Sequence, residues 1–217
     1  MRIRGAMLLV LVAMLLSSCK GRIFPASQAN LVASPPASAS SQQAAQAGLT
    51  VLQSLVLPEN FQGLGFSSVE QAKSAQLSDP IKLYTVPLDA LTAYKADSVA
   101  AGLLQDAHKL IYPVTVDGRV ASSLAVTQHN DGWRATDFGN AAVTRALVAR
   151  RASKDDFVVW VPALKIYFSA RGAGEALTLT PIIDDPRFGF KVGEIIPANR
   201  AFAVLQKNAG EYNGLPQ

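Results

Sequence analysis

Two histidines are the first candidates for catalysis or zinc binding, because imidazole acts both as a general base and as a metal ligand. His108 and His129 belong to no His-Glu-x-x-His motif and to no other close pairing that a zinc site needs. The single cysteine also excludes a cysteine-based metal cluster and any disulfide within the chain. We therefore predict that both histidines are surface or turn residues and that the chain holds no catalytic residue, metal or cofactor.

Two pairs of adjacent carboxylates, Asp155-Asp156 and Asp184-Asp185, could supply a general acid and a general base. Side chains one position apart point in different directions, however, and both pairs adjoin turn-forming residues. We interpret them as solvated loop residues. The chain also lacks a Gly-x-Ser-x-Gly elbow, and residues 172–174 lack the lysine of a phosphate loop. An enzyme is thus not expected, and the alternative is a small hydrolase with dispersed catalytic residues.

Four aromatic residues fall in segments with strand-like patterning: Tyr112, Trp133, Trp160 and Tyr167. On a shared sheet face they would form a groove for a peptide, a glycan or a lipid. The alternative places them in the core, where large aromatic side chains commonly lie.

The N-terminus has the pattern of an export signal. Arg2 and Arg4 precede an apolar run from Ala6 to Leu16, which is too short to cross about 30 Å of hydrocarbon as a helix. A basic segment followed by a short apolar one predicts a signal peptide, here residues 1–18. The small residues 17 and 18 then lead to Cys19, the only cysteine.

Leu16-Ser17-Ser18-Cys19 resembles the lipobox of bacterial lipoprotein precursors, Leu-small-small-Cys. In that family a diacylglyceryl group joins the cysteine sulfur, a signal peptidase cleaves before the cysteine, and the new amino group receives an acyl chain such as palmitate. The resemblance implies that Cys19 is the lipidated first residue of the mature chain. It covers about 20 residues and says nothing about the rest. The alternative is an ordinary signal peptide in which Cys19 happens to follow small residues.

The lipobox resemblance also implies a membrane location. In that family an aspartate directly after the cysteine often marks retention in the inner membrane, so Lys20 favours the outer membrane, on its periplasmic side. Loss of Arg2 and Arg4 with the signal would leave 18 basic residues against 16 acidic ones. This small excess gives no reason to expect a nucleic-acid partner.

An uncharged stretch from Ile23 to Pro58 follows the predicted anchor, and residues 25–48 are almost wholly Ala, Ser, Gln and Pro. Such a composition cannot bury enough apolar surface to fold, so we predict a flexible tether over residues 19–48. An alternative is an amphipathic helix from Ser41 to Val56, because apolar residues recur there at three- and four-residue spacing.

The clearest local signal in the remaining chain is a hairpin. Two β-rich runs, Lys109–Val116 and Arg119–Thr127, are joined by Asp117-Gly118, a dipeptide that favours a type I′ turn. A second turn at residues 129–132 leads into a third run, so an antiparallel meander is predicted. Pro113 cannot donate to a ladder and should lie at an edge or a bulge.

Helices are predicted around this meander. One begins at Ser67, with Glu70 completing a capping box; others begin at Asn140 and Pro197. Pro87–Tyr94 is a short element that the pattern leaves open as helix or strand. Further strands are predicted at 157–161, 164–170 and 177–183.

This order of elements predicts an α+β domain over residues 49–217, with an antiparallel meander sheet covered by helices on one side. Cystatin-like and nuclear-transport-factor-like folds share the order, by analogy alone, and two similar halves are conceivable. We expect a lipid-anchored cell-envelope protein that acts as a binding or accessory assembly module, with another envelope protein or a peptide as partner. The hydrolase and a purely structural lipoprotein are the alternatives.

Overall fold

The computed structural model describes residues 37–210. The predicted signal peptide, Cys19 and residues 19–36 of the predicted tether lie outside the described residues.

A single nine-stranded sheet forms the centre of the described chain. Its order is β5-β4-β3-β2-β6-β7-β8-β9, with β1 beside β3. Every neighbouring pair is antiparallel except β2 and β6, which are parallel. The fold is therefore mixed α/β with a large, mostly antiparallel open sheet. The strands are β1 Gln76–Leu77, β2 Ile81–Thr85, β3 Gln105–Val116, β4 Arg119–His129, β5 Gly132–Phe138, β6 Phe157–Val161, β7 Ile166–Arg171, β8 Thr178–Pro181 and β9 Ile196–Pro197.

The predicted meander is confirmed as β3, β4 and β5. Asp117 and Gly118 both have positive φ, 50° and 73°, as a type I′ turn requires. Pro113 lies one residue before a register shift between β3 and β4, and its carbonyl accepts from the Ser78 amide between β1 and β2. The proline thus occupies a place where the ladder is already interrupted.

Within residues 37–210 five α-helices accompany the sheet: α1 Ser41–Leu55, α2 Val69–Lys73, α3 Leu88–Thr92, α4 Ala141–Arg150 and α5 Ala198–Ala209. The element at Pro87–Tyr94 is thus helical. The N-cap of α2 is Ser68, whose hydroxyl accepts from the Gln71 amide, and the prediction of Ser67 is wrong by one residue. Asn140 precedes α4 in a left-handed conformation with φ of 60° and gives no side-chain cap.

Helix α1 begins inside the segment predicted as a tether. Ser40 caps it by accepting from the Gln43 amide, and Ala44, Ala45 and Leu49 are buried. A Cβ on Gly48 would lie 2.7 Å from the Ala135 Cβ, so the helix packs tightly on the sheet. The amphipathic-helix alternative is therefore correct for residues 41–55, and the predicted tether boundary at residue 48 is wrong on its C-terminal side.

The helices lie on both faces of the sheet, which corrects the prediction that one side is covered. Directly paired residues point to the same face, so the register assigns each core to a side. The face we call the α1 face carries α1 over Tyr112 and Leu124, and α5 over Val159 and Phe168. The opposite face, here the α4 face, carries α4, whose Leu147 packs with residues of β2 and β6.

Candidate functional site

The prediction that the adjacent carboxylates are solvated is correct for Asp155 and Asp184, which are exposed, and wrong for their neighbours. Asp156 and Asp185 are buried, with side chains 4% and 8% exposed. Arg171 donates to Asp156 through Nε and Nη2, both at 2.8 Å, and Arg187 donates to Asp185 through the same two atoms at 3.0 and 2.7 Å. Each of the two buried carboxylates is neutralised by a guanidinium, so these two ion pairs hold their loops in place.

Both histidines are exposed, as predicted. His108 has φ of 50° at an irregularity between β2 and β3, where its amide donates to Asp106 Oδ1 at 2.8 Å. Within residues 37–210 no group of three or more His, Cys, Asp or Glu side chains could hold a metal ion.

The four aromatic residues do not share one groove. Tyr112 is buried on the α1 face, where its hydroxyl donates to Ser41 Oγ at 3.3 Å. Trp133 packs against the same core and its backbone pairs with Ser38 at the edge of β5. Trp160 and Tyr167 are direct cross-strand partners on the α4 face, so this pair shares a sheet face outside the core that holds Tyr112 and Trp133.

Trp160 and Tyr167 line a cavity of about 170 Å³ on the α4 face, which we call the aromatic notch. Their rings are stacked, with centroids 5.5 Å apart and planes 4° from parallel. Strands β2 to β7 supply its floor and the N-terminal half of α4 supplies one wall. The other lining residues are Leu83, Lys109, Ile111, Ser123, Ala125, Asp137, Phe138, Gly139, Asn140, Val143 and Thr144.

The notch has a charged, hydrogen-bonded rim. Lys109 Nζ lies 2.8 Å from Asp137 Oδ2, and the Thr136 hydroxyl donates to the same oxygen at 2.9 Å. Burial alone would raise the pKa of Asp137, but these hydrogen bonds outweigh it and hold the pKa below its usual value. The pKa of Tyr167 is raised, first by burial and then by the charge of Asp137. At pH 7 the rim therefore holds an ionised Asp137 carboxylate, and the Tyr167 phenol beside it is neutral.

One residue that lines the notch has a donor with no partner. The indole N–H of Trp160 is buried and makes no hydrogen bond to any residue of 37–210. A buried N–H without an acceptor costs about 1–3 kcal/mol, and such groups are rare in native proteins.

The rim was beyond sequence reasoning. Lys109 and Asp137 are 28 residues apart, and they meet because β3 and β5 both flank β4. The sequence did place both residues in the predicted meander. The strand register of the meander includes two shifts, however, and the sequence pattern does not reveal them.

Comparison with known proteins finds no relative: no family model matches the chain, and neither the curated proteins nor the solved structures give a match. Fold and site together define a mixed α/β protein with an open, mostly antiparallel sheet and an aromatic notch on one face. Among its helices within residues 37–210, none combines the length and apolar character needed to cross a membrane.

Proposed function

We propose that this is a lipid-anchored cell-envelope protein whose folded domain binds another envelope protein or a peptide at the aromatic notch. The observation that carries the proposal is the notch itself, a cavity lined by the rings of Trp160 and Tyr167 with the Lys109–Asp137 ion pair at its rim. Concave apolar sites with a few converging polar groups are the usual form of a binding site.

The size of the notch favours a protein partner over a free small molecule. Small-molecule sites usually measure about 300–1,000 Å³, whereas a cavity of about 150 Å³ holds one benzene ring. At about 170 Å³ the notch suits one ring-sized or branched apolar side chain. Interfaces concentrate their binding energy in such anchor residues, surrounded by a polar rim.

The notch also adjoins an exposed strand. Asp137 and Phe138 line the cavity and belong to β5, which ends the sheet. Within residues 37–210, the only segment paired with its outer edge is the isolated bridge from Ser38 to Trp133. A peptide adding to this edge would gain backbone hydrogen bonds while a side chain enters the notch.

Photo-crosslinking in cells tests the proposal. A photoreactive phenylalanine analogue at Tyr167 should label one envelope protein, and the same group at Tyr84, on the α1 face, should not. Ala125→Leu fills the notch from its floor and should remove the Tyr167 crosslink while leaving expression and circular dichroism unchanged.

Two results would contradict the proposal. One is an identical set of crosslinked proteins from Tyr167 and Tyr84, which would indicate random collision. The other is a Tyr167 crosslink that survives notch filling in a folded variant.

The finer description of the fold, beyond a mixed α/β sheet protein, is also a proposal. The cystatin-like and nuclear-transport-factor-like topologies stay predictions from element order. The hydrolase alternative has less support, because His108 and His129 are exposed and neither lines the notch.

A further inference from the structure

A second cavity lies on the α4 face, near the C-terminal end of α4, with a volume of about 250 Å³. Its floor consists of hydroxyl side chains from two paired strands, because Ser169 pairs with Thr180 and Arg171 pairs with Thr178. Two guanidinium groups, those of Arg150 and Arg171, line its walls.

Hydrogen bonds to a buried carboxylate hold the Arg171 side chain in place. Its Nε and Nη2 bind the buried Asp156, which also accepts from the Ala152 and Ser153 amides at 2.8 and 3.1 Å. The Arg171 side chain is nevertheless 55% exposed, so the rest of its guanidinium faces solvent. A fixed fork of this kind loses little entropy when it binds a further acceptor.

Arg150 supplies the uncompensated charge of the cavity. Arg150 forms no ion pair with any residue of the described chain. This includes the exposed Glu194, which follows the cavity residue Gly193 in the sequence. Its guanidinium lies against Gly193, at 3.6 Å from where a Cβ would stand, and Gly193 has φ of 79°. Because Asp156 already neutralises Arg171, the cavity keeps one net positive charge.

We propose that this cavity binds an oxyanion, a carboxylate or phosphate group of an envelope molecule. Guanidinium forks match the oxygen pairs of both groups, and the Thr180 hydroxyl adds a donor, whereas the Ser169 and Thr178 hydroxyls already donate to the carbonyls of Arg150 and Arg171. The site is separate from the aromatic notch, since the two cavities lie at opposite ends of α4 and share no lining residue.

Amide NMR of the full-length chain in nonionic detergent tests the site. Sodium phosphate, sodium acetate and short-chain phosphatidylglycerol are titrated in turn, with sodium chloride as the ionic-strength control. We expect saturable shifts at residues 169, 171, 178 and 180 with at least one oxyanion and none with chloride. Phosphate against acetate identifies the preferred group, and the lipid distinguishes a headgroup from a free anion.

Arg150→Gln should weaken this binding by about tenfold or more, because it removes a charge-assisted donor. Arg200→Gln, an exposed arginine of α5, is the matched control and should bind as the parent does. Thr180→Val provides a second variant with its charge unchanged, and it should weaken binding severalfold. Shifts that persist in a folded Arg150→Gln variant, or that appear equally with chloride, would overturn the proposal.

Discussion

Replacing Asp156 with asparagine should destabilise the fold by up to about 2 kcal/mol at pH 7. The hydrogen bonds from Arg171 lower the pKa of Asp156 most, burial opposes them, and the Ala152 and Ser153 amides lower it further, to about 2 from an ordinary 3.8. A lowering of this size corresponds to about 2 kcal/mol of preference for the ionised form in the folded chain. The carboxylate is only 4% exposed, but Arg171 is half exposed and solvent screens the pair, so we take this figure as an upper value.

The lowered pKa of Asp156 also predicts how its stabilising contribution changes with pH. The folded pKa lies below the unfolded one, so the stabilisation is present above the unfolded pKa near 3.8 and is lost as the pH falls toward 2. Roughly half of it should remain at pH 3. The asparagine variant has no charge to titrate at this position. The difference in free energy of unfolding between the parent and the variant should therefore become smaller from pH 7 to pH 3.

Urea unfolding followed by circular dichroism measures this gap. Asp155→Asn is the matched control, because Asp155 is the exposed neighbour and makes no ion pair with a residue of 37–210. It should change the free energy of unfolding by about 0.5 kcal/mol or less. Equal losses in the two variants, or a gap that does not change with pH, would refute the reasoning.

Three further predictions follow from other parts of the chain. Gly48→Val should cost several kcal/mol in thermal or urea unfolding, because even a Cβ would meet Ala135 at 2.7 Å, whereas Gly102→Ala, with no neighbour within 4 Å, should be nearly neutral. Equal stability of the two would mean that α1 does not pack on the sheet. Ultraviolet titration should find Tyr167 deprotonating above the ordinary pKa of 10, and Asp137→Asn should lower that pKa; no movement would exclude the charge effect. Cys19→Ala should shift the protein from the membrane to the soluble fraction of cells, and a variant that stays membrane-bound would reject the lipid anchor.

Local chemistry made the meander predictable. Asp117-Gly118 favours a turn with two positive φ values, and the alternation beside it shows which residues are half-buried. These signals depend on neighbours in the chain and need no knowledge of the fold. The N-terminal helix was harder, because a helix of about 15 residues is only marginally stable on its own, even though alanine and glutamine before Gly48 favour it. Only their fit against β4 and β5 makes the helix stable.

The adjacent carboxylates show what the sequence could not predict. Asp156 and Asp155 are the same residue type, one position apart, and the sequence treats them alike. Their different environments arise because β7 brings Arg171 beside Asp156, 15 residues away in the chain. Charge pairs of this kind depend on long-range pairing, which a local pattern does not encode.

The sequence by itself predicted an export signal from the short apolar run and a lipid anchor from the residues around Cys19, and it predicted the hairpin that the structure shows, because each pattern depends on residues close together in the chain. Only the tertiary structure decided which faces the helices cover, which aromatic residues meet and where the charges pair. The parallel contact of β2 with β6 joins the two halves of the sheet, and it is this contact that places Trp160 beside the meander carrying Lys109 and Asp137. Strand order and register set such meetings, and they are fixed by burial across the whole sheet rather than by any one segment.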